Sequence, residues 1–278
     1  MITFSAFADE IGPELDLQMD TCEAHGIKCI DVRGIDGTNV SAMALDKVAE
    51  YKSRLDDRSF TVPFIGSPIG KIKISDDFDA HIELIKHTCD VAKGFGCSSI
   101  RMFSFYPTDG CDIRNQRGEV IDRMGRMVDL AERHDVVLYH ENESGIYGFS
   151  PEGVKDLFAT IASDRLKGIF DPANFVNDGF KPYDDCWSQG LAELTDAFHI
   201  KDKLTGDGPC VPAGEGDGQF DSIFTDLARR GFDGTMTLEP HLAAAGQFSG
   251  FSGPDLFGKA IAALKAVCDR YGLTYQTA

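Results

Sequence analysis

The sequence predicts a closed (β/α)8 barrel. Three observations carry that expectation. Short β-branched or aromatic runs alternate eight times with amphipathic helical segments, the chain of 278 residues allows about 35 per unit, and no nucleotide-binding glycine fingerprint follows the first run. Strands that alternate with helices pair in parallel, since each return crosses over through a helix. An open doubly wound sheet would carry Gly-x-Gly-x-x-Gly after its first strand. That stretch here reads Phe7-Ala8-Asp9-Glu10-Ile11-Gly12, which favours the closed barrel.

Strand candidates fall at residues 2–7, 28–33, 60–66, 98–104, 135–140, 167–171, 196–201 and 234–239. Helical patterns lie between them at 13–25, 41–56, 77–94, 119–134, 151–163, 183–195 and 219–230, with a last one at 254–271. Pro13 follows Gly12 at one helix start, and Ser150-Pro151-Glu152 puts a capping hydroxyl before a proline at the first helical position. Gly26, Gly96, Gly231 and Gly272 stand where a left-handed residue stops a helix. The longest loop, 202–218, is glycine-rich and falls inside the barrel pattern, so it reads as an active-site loop. No linker or low-complexity tract divides the chain, and residues 1–278 are expected to form a single domain.

Composition narrows the function classes. The net charge is −18, and the densest basic groups are pairs such as Lys71 with Lys73 and Lys201 with Lys203. A nucleic-acid partner is therefore not expected, because Lys and Arg on phosphates supply most of that affinity. The eight cysteines form no Cys-x-x-Cys pair, which excludes a zinc ribbon or thioredoxin-like motif. The opening residues lack a signal-peptide pattern and no apolar run approaches membrane-spanning length. A cytoplasmic protein without a membrane partner is expected. Gly214-Glu215-Gly216-Asp217-Gly218 is not a phosphate cradle, since its acidic side chains would repel phosphate; it reads as a turn that opens the helix at Phe220.

In such a barrel the reacting groups sit at the C-terminal ends of the strands. The fifth strand ends in His140-Glu141-Asn142-Glu143, the sixth in Asp171-Pro172-Ala173-Asn174, the seventh in His199-Ile200-Lys201-Asp202, and the eighth in Glu239-Pro240-His241. Taken singly, Asp171 could be a helix cap and His199 a hydrogen-bonded residue of the wall. Glu141 and Glu239 follow apolar runs, where an unpaired carboxylate is costly to bury. Together, Glu141, Asp171, His199 and Glu239 place three carboxylates and an imidazole at one height on consecutive strands. That set suits one divalent ion, with Mn2+ preferred over Mg2+, Co2+ and Zn2+. Side chains alternate along a strand, so His140 is read as wall and His241 as a substrate contact. Glu10, Asp31, Arg33, Ser67 and Arg101 end the first four strands and can line the same mouth.

With these residues the chain resembles the xylose-isomerase-like barrel superfamily, in its sugar (phosphate) isomerase/epimerase branch. The resemblance rests on Leu138-Tyr139-His140-Glu141-Asn142, Phe170-Asp171-Pro172-Ala173-Asn174, His199-Ile200-Lys201-Asp202, Gly214-Glu215-Gly216-Asp217 and Leu238-Glu239-Pro240, and it covers nearly the whole chain. It implies a carbohydrate substrate and metal-assisted proton abstraction next to a carbonyl through a stabilised ene-diolate, with Glu141 and Glu239 as the acid–base pair. Glu10, Arg101, Asn174, Lys201 and His241 are then the substrate-binding candidates. Two departures from the free-ketohexose epimerases of the branch, Asn174 where they carry histidine and Thr205 where they carry arginine, argue against a free ketohexose and leave a phosphorylated sugar, an inosose or a 3-keto-glycoside open. The same chemistry serves a dehydratase or lyase on a keto-sugar, inosose or 3-keto-glycoside. An endonuclease of the DNA-repair relatives would need more strand-end histidines than the seven in the chain supply. The resemblance leaves homo-oligomerisation open.

Overall fold

The computed structural model describes residues 1–243 and 252–276. Six strands form one parallel sheet: Thr3–Ala6, Ser99–Met102, Val137–Glu141, Leu166–Phe170, Thr195–Ile200 and Thr235–Leu238. Their spatial order runs first, eighth, seventh, sixth, fifth, fourth in the barrel count. The gap between the first and fourth is closed by two narrower staves at residues 29–32 and 61–65. They pair through single bridges, Ala6 with Ile30, Cys29 with Thr61, Val32 with Ile65, and Ile65 with Ile100. Eight staves therefore close the barrel, as the sequence predicts. The expected strands 28–33 and 60–66 are reduced to these bridges, and one cause lies in the third stave: Pro63 has no N–H to give a ladder.

Alternation along the strands sorts the interior into layers. Phe64, Tyr139, Ile169 and Ala197 pack together as an apolar floor, with the Phe64 and Tyr139 rings edge to face at 4.7 Å. Above them the buried Asp31 carboxylate accepts hydrogen bonds from Ser5 and Thr237, both at 2.6 Å. Two residues further along their strands, Tyr139, Ile169, Ala197 and Thr237 give way to Glu141, Asp171, His199 and Glu239. The outward residues Leu138, Phe198, Met236 and Leu238 are buried in the larger core under the helices.

The helices Leu15–Ala24, Leu45–Asp57, Phe78–Phe95, Arg117–Arg133, Pro151–Ile161, Phe220–Arg230 and Gly253–Arg270 surround the sheet. Ser150 caps its helix by accepting from the Gly153 N–H at 3.2 Å, and Gly96 stops another with φ of 71°. No helix among the described residues is long and apolar enough to cross a membrane.

One helix expectation fails. Residues 183–195 form no continuous helix; a short helix Pro172–Asn177 is followed by separate turns at Pro182–Cys186, Trp187–Gln189 and Leu191–Glu193. Gly190, at φ of 106°, breaks the run, and Trp187 is buried with its indole N–H on Asp226 at 2.8 Å. The apolar spacing there reflects packing of Trp187 against Phe170 and Phe198, not a helix face.

The loop 202–218 carries a small hairpin, Asp202–Lys203 with Cys210–Val211. Its glycine run does surround an anion, but the anion is internal. The Asp202 carboxylate accepts from the N–H groups of Lys203, Gly214, Gly216 and Gly218 at 2.8–2.9 Å. A Cβ at Gly216 would lie 2.3 Å from Asp202 Oδ1, which explains why glycine stands there.

Candidate metal centre

The barrel brings one ligating atom from each of Glu141, Asp171, His199 and Glu239 within 4.8 Å of the other three, and all four residues are buried. Each reaches this point for a local reason. Glu141 is the last residue of the fifth strand, and Asp171 and Glu239 directly follow the sixth and eighth. His199 faces inward from the seventh, its ring edge-on to Phe7 at 5.0 Å. Asp171 is also the helix cap that its position suggests. Its Oδ1 accepts from the Asn174 N–H at 3.0 Å, which leaves Oδ2 for the centre.

Glu141 and Glu239 are arranged as two matching arms. Each directs one oxygen to His199 Nδ1, Oε1 of Glu141 at 2.9 Å and Oε2 of Glu239 at 3.4 Å. Each gives its other oxygen to a guanidinium: Arg101 Nη1 meets Glu141 Oε2 at 3.2 Å, and Arg33 Nη1 meets Glu239 Oε1 at 2.7 Å. The two guanidinium groups both pack over the Phe7 ring, at 4.7 and 4.6 Å. Lys201 completes the surroundings, with Nζ 2.8 Å from Asp171 Oδ2 and 3.6 Å from Glu239 Oε2.

The electrostatics show a centre that demands positive charge. Burial opposes a charged imidazole, but the facing carboxylates of Glu141 and Glu239 outweigh it and raise the His199 pKa to about 9. Burial likewise opposes the charge on Glu141, and His199 with Arg101 outweighs it, bringing that group to about 2. Asp171 goes the other way: burial pushes it up to about 6 against the pull of Lys201. Glu239 lies well below the usual carboxylate range against the effect of burial, with Lys201, His199 and His241 around it. Beyond these ion pairs, Asp171 Oδ2, His199 Nδ1 and Glu239 Oε2 are buried with no further hydrogen-bond partner. Such atoms are costly to bury unless something else satisfies them. Three carboxylates and one imidazole nitrogen converging on one point are the donor set of a hard to borderline divalent ion.

A family model described as xylose isomerase-like TIM barrel matches residues 19–267. The chain belongs to the xylose isomerase-like TIM barrel family. Solved structures with the same fold include the IOLI protein with a bound zinc atom, 17% identical with a TM-score of 0.76 over 97% of this chain and 98% of that one. The probable 3-DHS dehydratase AsbF, involved in petrobactin synthesis in Bacillus anthracis, is 17% identical with a TM-score of 0.74, covering 95% and 99%. D-psicose 3-epimerase with D-tagatose from Clostridium cellulolyticum H10 is 13% identical with a TM-score of 0.71, covering 97% and 99%. At such identities the likeness is one of fold. No curated protein matches the sequence.

Within this xylose isomerase-like barrel the other expected contacts also gather at the mouth. Arg101 and Lys201 touch the cluster directly, and Asn174 Nδ2 lies 3.4 Å from Glu141 Oε1. His241 Nε2 sits 3.0 Å from Glu10 Oε1 and 3.5 Å from Glu239 Oε1. Glu10 is also tied to protein, accepting from the His241 N–H at 3.0 Å and from Ser252 at 3.3 Å. His140 faces away as expected: its Nε2 pairs with Ser104 Oγ at 2.9 Å, and burial lowers its pKa to about 4. Ser67 turns to the Arg101 carbonyl instead of the mouth. The sequence reading misses the pairing of Arg33 with Arg101 about Phe7, and the part played by Asn142. Alternation marks Phe7, Arg33 and Arg101 as inward residues, but their shared stack depends on the curvature of the closed barrel.

Proposed function

We propose that this protein is a divalent-metal-dependent carbohydrate isomerase or epimerase that moves a proton next to a substrate carbonyl. The observation that carries the reading is the convergence of buried Asp171 Oδ2, His199 Nδ1 and Glu239 Oε2, which meet only ion-pair partners, beside Glu141. These four residues would hold the ion, with Mn2+ the preferred occupant. When bound, a divalent ion supplies Lewis acidity that makes the proton on the neighbouring carbon easier to remove.

The two glutamate arms then divide the proton transfer. One takes the proton and the other returns it, while Arg101 and Arg33 hold each carboxylate by its second oxygen. Charge balance supports an uncharged substrate. Asp9, Glu10, Asp31, Glu141, Asp171 and Glu239 face Arg33, Arg101, Lys201 and His241, whose pKa is raised to about 9 by Glu10 and Glu239 against burial. With His199 a neutral ligand, a divalent ion would offset the two negative charges that these groups leave. A neutral keto-sugar fits that balance; Arg101, Asn174, Lys201 and His241 are the groups placed to contact it, with Glu10 holding His241.

One feature favours a dehydratase as a second reading. The Lys201 ammonium at the centre is a donor that could assist departure of a hydroxyl from the carbon beyond the one deprotonated. Proton NMR in heavy water separates the two. After purification with added Mn2+, we expect close to one divalent ion per chain and deuterium uptake next to the carbonyl of a neutral keto-sugar, with its oxygens retained. Loss of water supports the dehydratase. Absence of any bound ion, or undiminished exchange in Glu239→Gln, overturns the reading.

A further inference from the structure

We propose that Asn142 is a positioning residue that fixes the spacing of Glu141 against Asp171 and so sets how tightly the centre holds a divalent ion. The proposal rests on the metal-site reading above and adds to it a residue outside the ligand set.

The fifth and sixth strands pair in register as far as Glu141 with Ile169. Beyond that point the ladder ends, just where two of the four cluster residues must be held at a fixed distance. The Asn142 side chain continues the ladder in place of backbone. Its Oδ1 accepts from the Asp171 N–H at 2.9 Å, and its Nδ2 donates to the Asp171 carbonyl at 3.0 Å. A carboxamide has the donor and acceptor of a peptide group, so it can serve as one more rung. Asn142 is only 3% exposed, so water offers little competition for these bonds.

The link is closed from the other side by Asn174. Its Nδ2 donates to the Asn142 carbonyl at 2.9 Å, and its backbone N–H occupies Asp171 Oδ1 at 3.0 Å. Asn142 thus fixes the Asp171 backbone, and the cap fixes which carboxylate oxygen faces the centre. No bond in this circuit needs a change of protonation. Partners that orient metal ligands from outside are commonly worth 10–100-fold in metal affinity.

The test uses the full chain with Co2+ as the probe, titrated by its visible absorption, alongside thermal unfolding of the chelator-treated protein. Asn142→Ala is expected to weaken Co2+ binding by about 10–100-fold and to shift the absorption bands, since the ligand geometry changes. Asn142→Asp is nearly isosteric and guards against a misfolded Ala variant. It keeps the acceptor for the Asp171 N–H but sets a carboxylate against the Asp171 carbonyl, so it should weaken binding at least as much. Wild-type binding matched within twofold by a folded variant with the same spectrum overturns the positioning role and leaves the metal site standing. Weaker binding with an unchanged spectrum, tracking only a lower unfolding temperature, reduces Asn142 to a structural part and also overturns it. A wild-type protein that binds no Co2+ overturns both readings.

Discussion

Asp202 and Asp171 are both buried carboxylates just past a strand end, and the chain treats them in opposite ways. Asp202, at the root of the 202–218 loop, accepts four backbone N–H groups and has no orphaned oxygen. Asp171, at the lumen mouth, accepts one N–H on Oδ1 and leaves Oδ2 without a hydrogen bond beside Lys201 and two glutamates. A saturated buried carboxylate organises the backbone around it. An unsaturated one costs stability and is expected where a ligand completes it. The difference separates a carboxylate that builds structure from one placed at the proposed metal centre.

The comparison can be broken from the site side. Asp171→Asn should lower divalent-metal affinity by more than about 100-fold, since removing a ligand should exceed the 10–100-fold typical of the groups around one. Stability of the chelator-treated protein should change by no more than about 1 kcal/mol. Lys201 keeps Glu239 at 3.6 Å, and its lost attraction to Asp171 is offset by relief of a carboxylate that burial beside Glu141 and Glu239 disfavours. Isothermal titration and urea unfolding on one preparation give both quantities. A variant that unfolds readily yet binds metal normally would make Asp171 the structural residue.

The same test from the loop side should invert the result. Asp202→Asn offers one acceptor oxygen where the carboxylate offered two, and its NH2 faces N–H groups that need an acceptor. With two buried or half-buried donors stranded, a loss of about 2–3 kcal/mol is expected on urea unfolding. Metal stoichiometry should stay at the wild-type value. Loss of metal in a folded Asp202→Asn protein would mean that the loop reaches into the centre after all.

This contrast also explains what the sequence could and could not disclose. Glu141, Asp171, His199 and Glu239 were legible because each follows a short apolar run, and the two-residue period of a strand fixes which side chains face inward. The barrel as a whole was legible for the same reason. Staves two and three are reduced to single bridges, and Pro63, with no N–H to give, is one cause of this in the third. Residues 183–195 looked helical because Trp187 and its neighbours pack on Phe170 and Phe198 with similar spacing. The N–H groups of Gly214, Gly216 and Gly218 turn to the carboxylate of Asp202, which lies twelve or more residues back and which no local pattern announces. Asn142 was in plain view beside Glu141, but a carboxamide carries no signal of its partner until two strand ends are brought together. Contacts made across the barrel depend on closure, and periodicity along one strand holds no record of them.

Asp31 sharpens the comparison with a third and intermediate case. It lies beneath the mouth and has two hydroxyl donors, more than Asp171 has on the site side and fewer than the donors around Asp202. Burial raises its pKa from the ordinary 3.8 to about 6, with Ser5 and Thr237 pulling it back in part. A carboxyl whose pKa is raised on folding favours the folded state when protonated. Its contribution is therefore fully present below about pH 4 and is lost as pH rises through about 6. The span corresponds to about 3 kcal/mol. Asp31→Asn cannot ionise, and its amide can pair with the same two hydroxyls once one of them turns to accept. Relative to wild type, its stability should therefore rise by up to about 3 kcal/mol between pH 4 and pH 7. Urea unfolding with chelator present removes any contribution from bound metal. A stability difference that stays constant over that range would show that two hydroxyls offset the burial of Asp31 completely. Hydrogen-bond count would then no longer separate structural from functional carboxylates here.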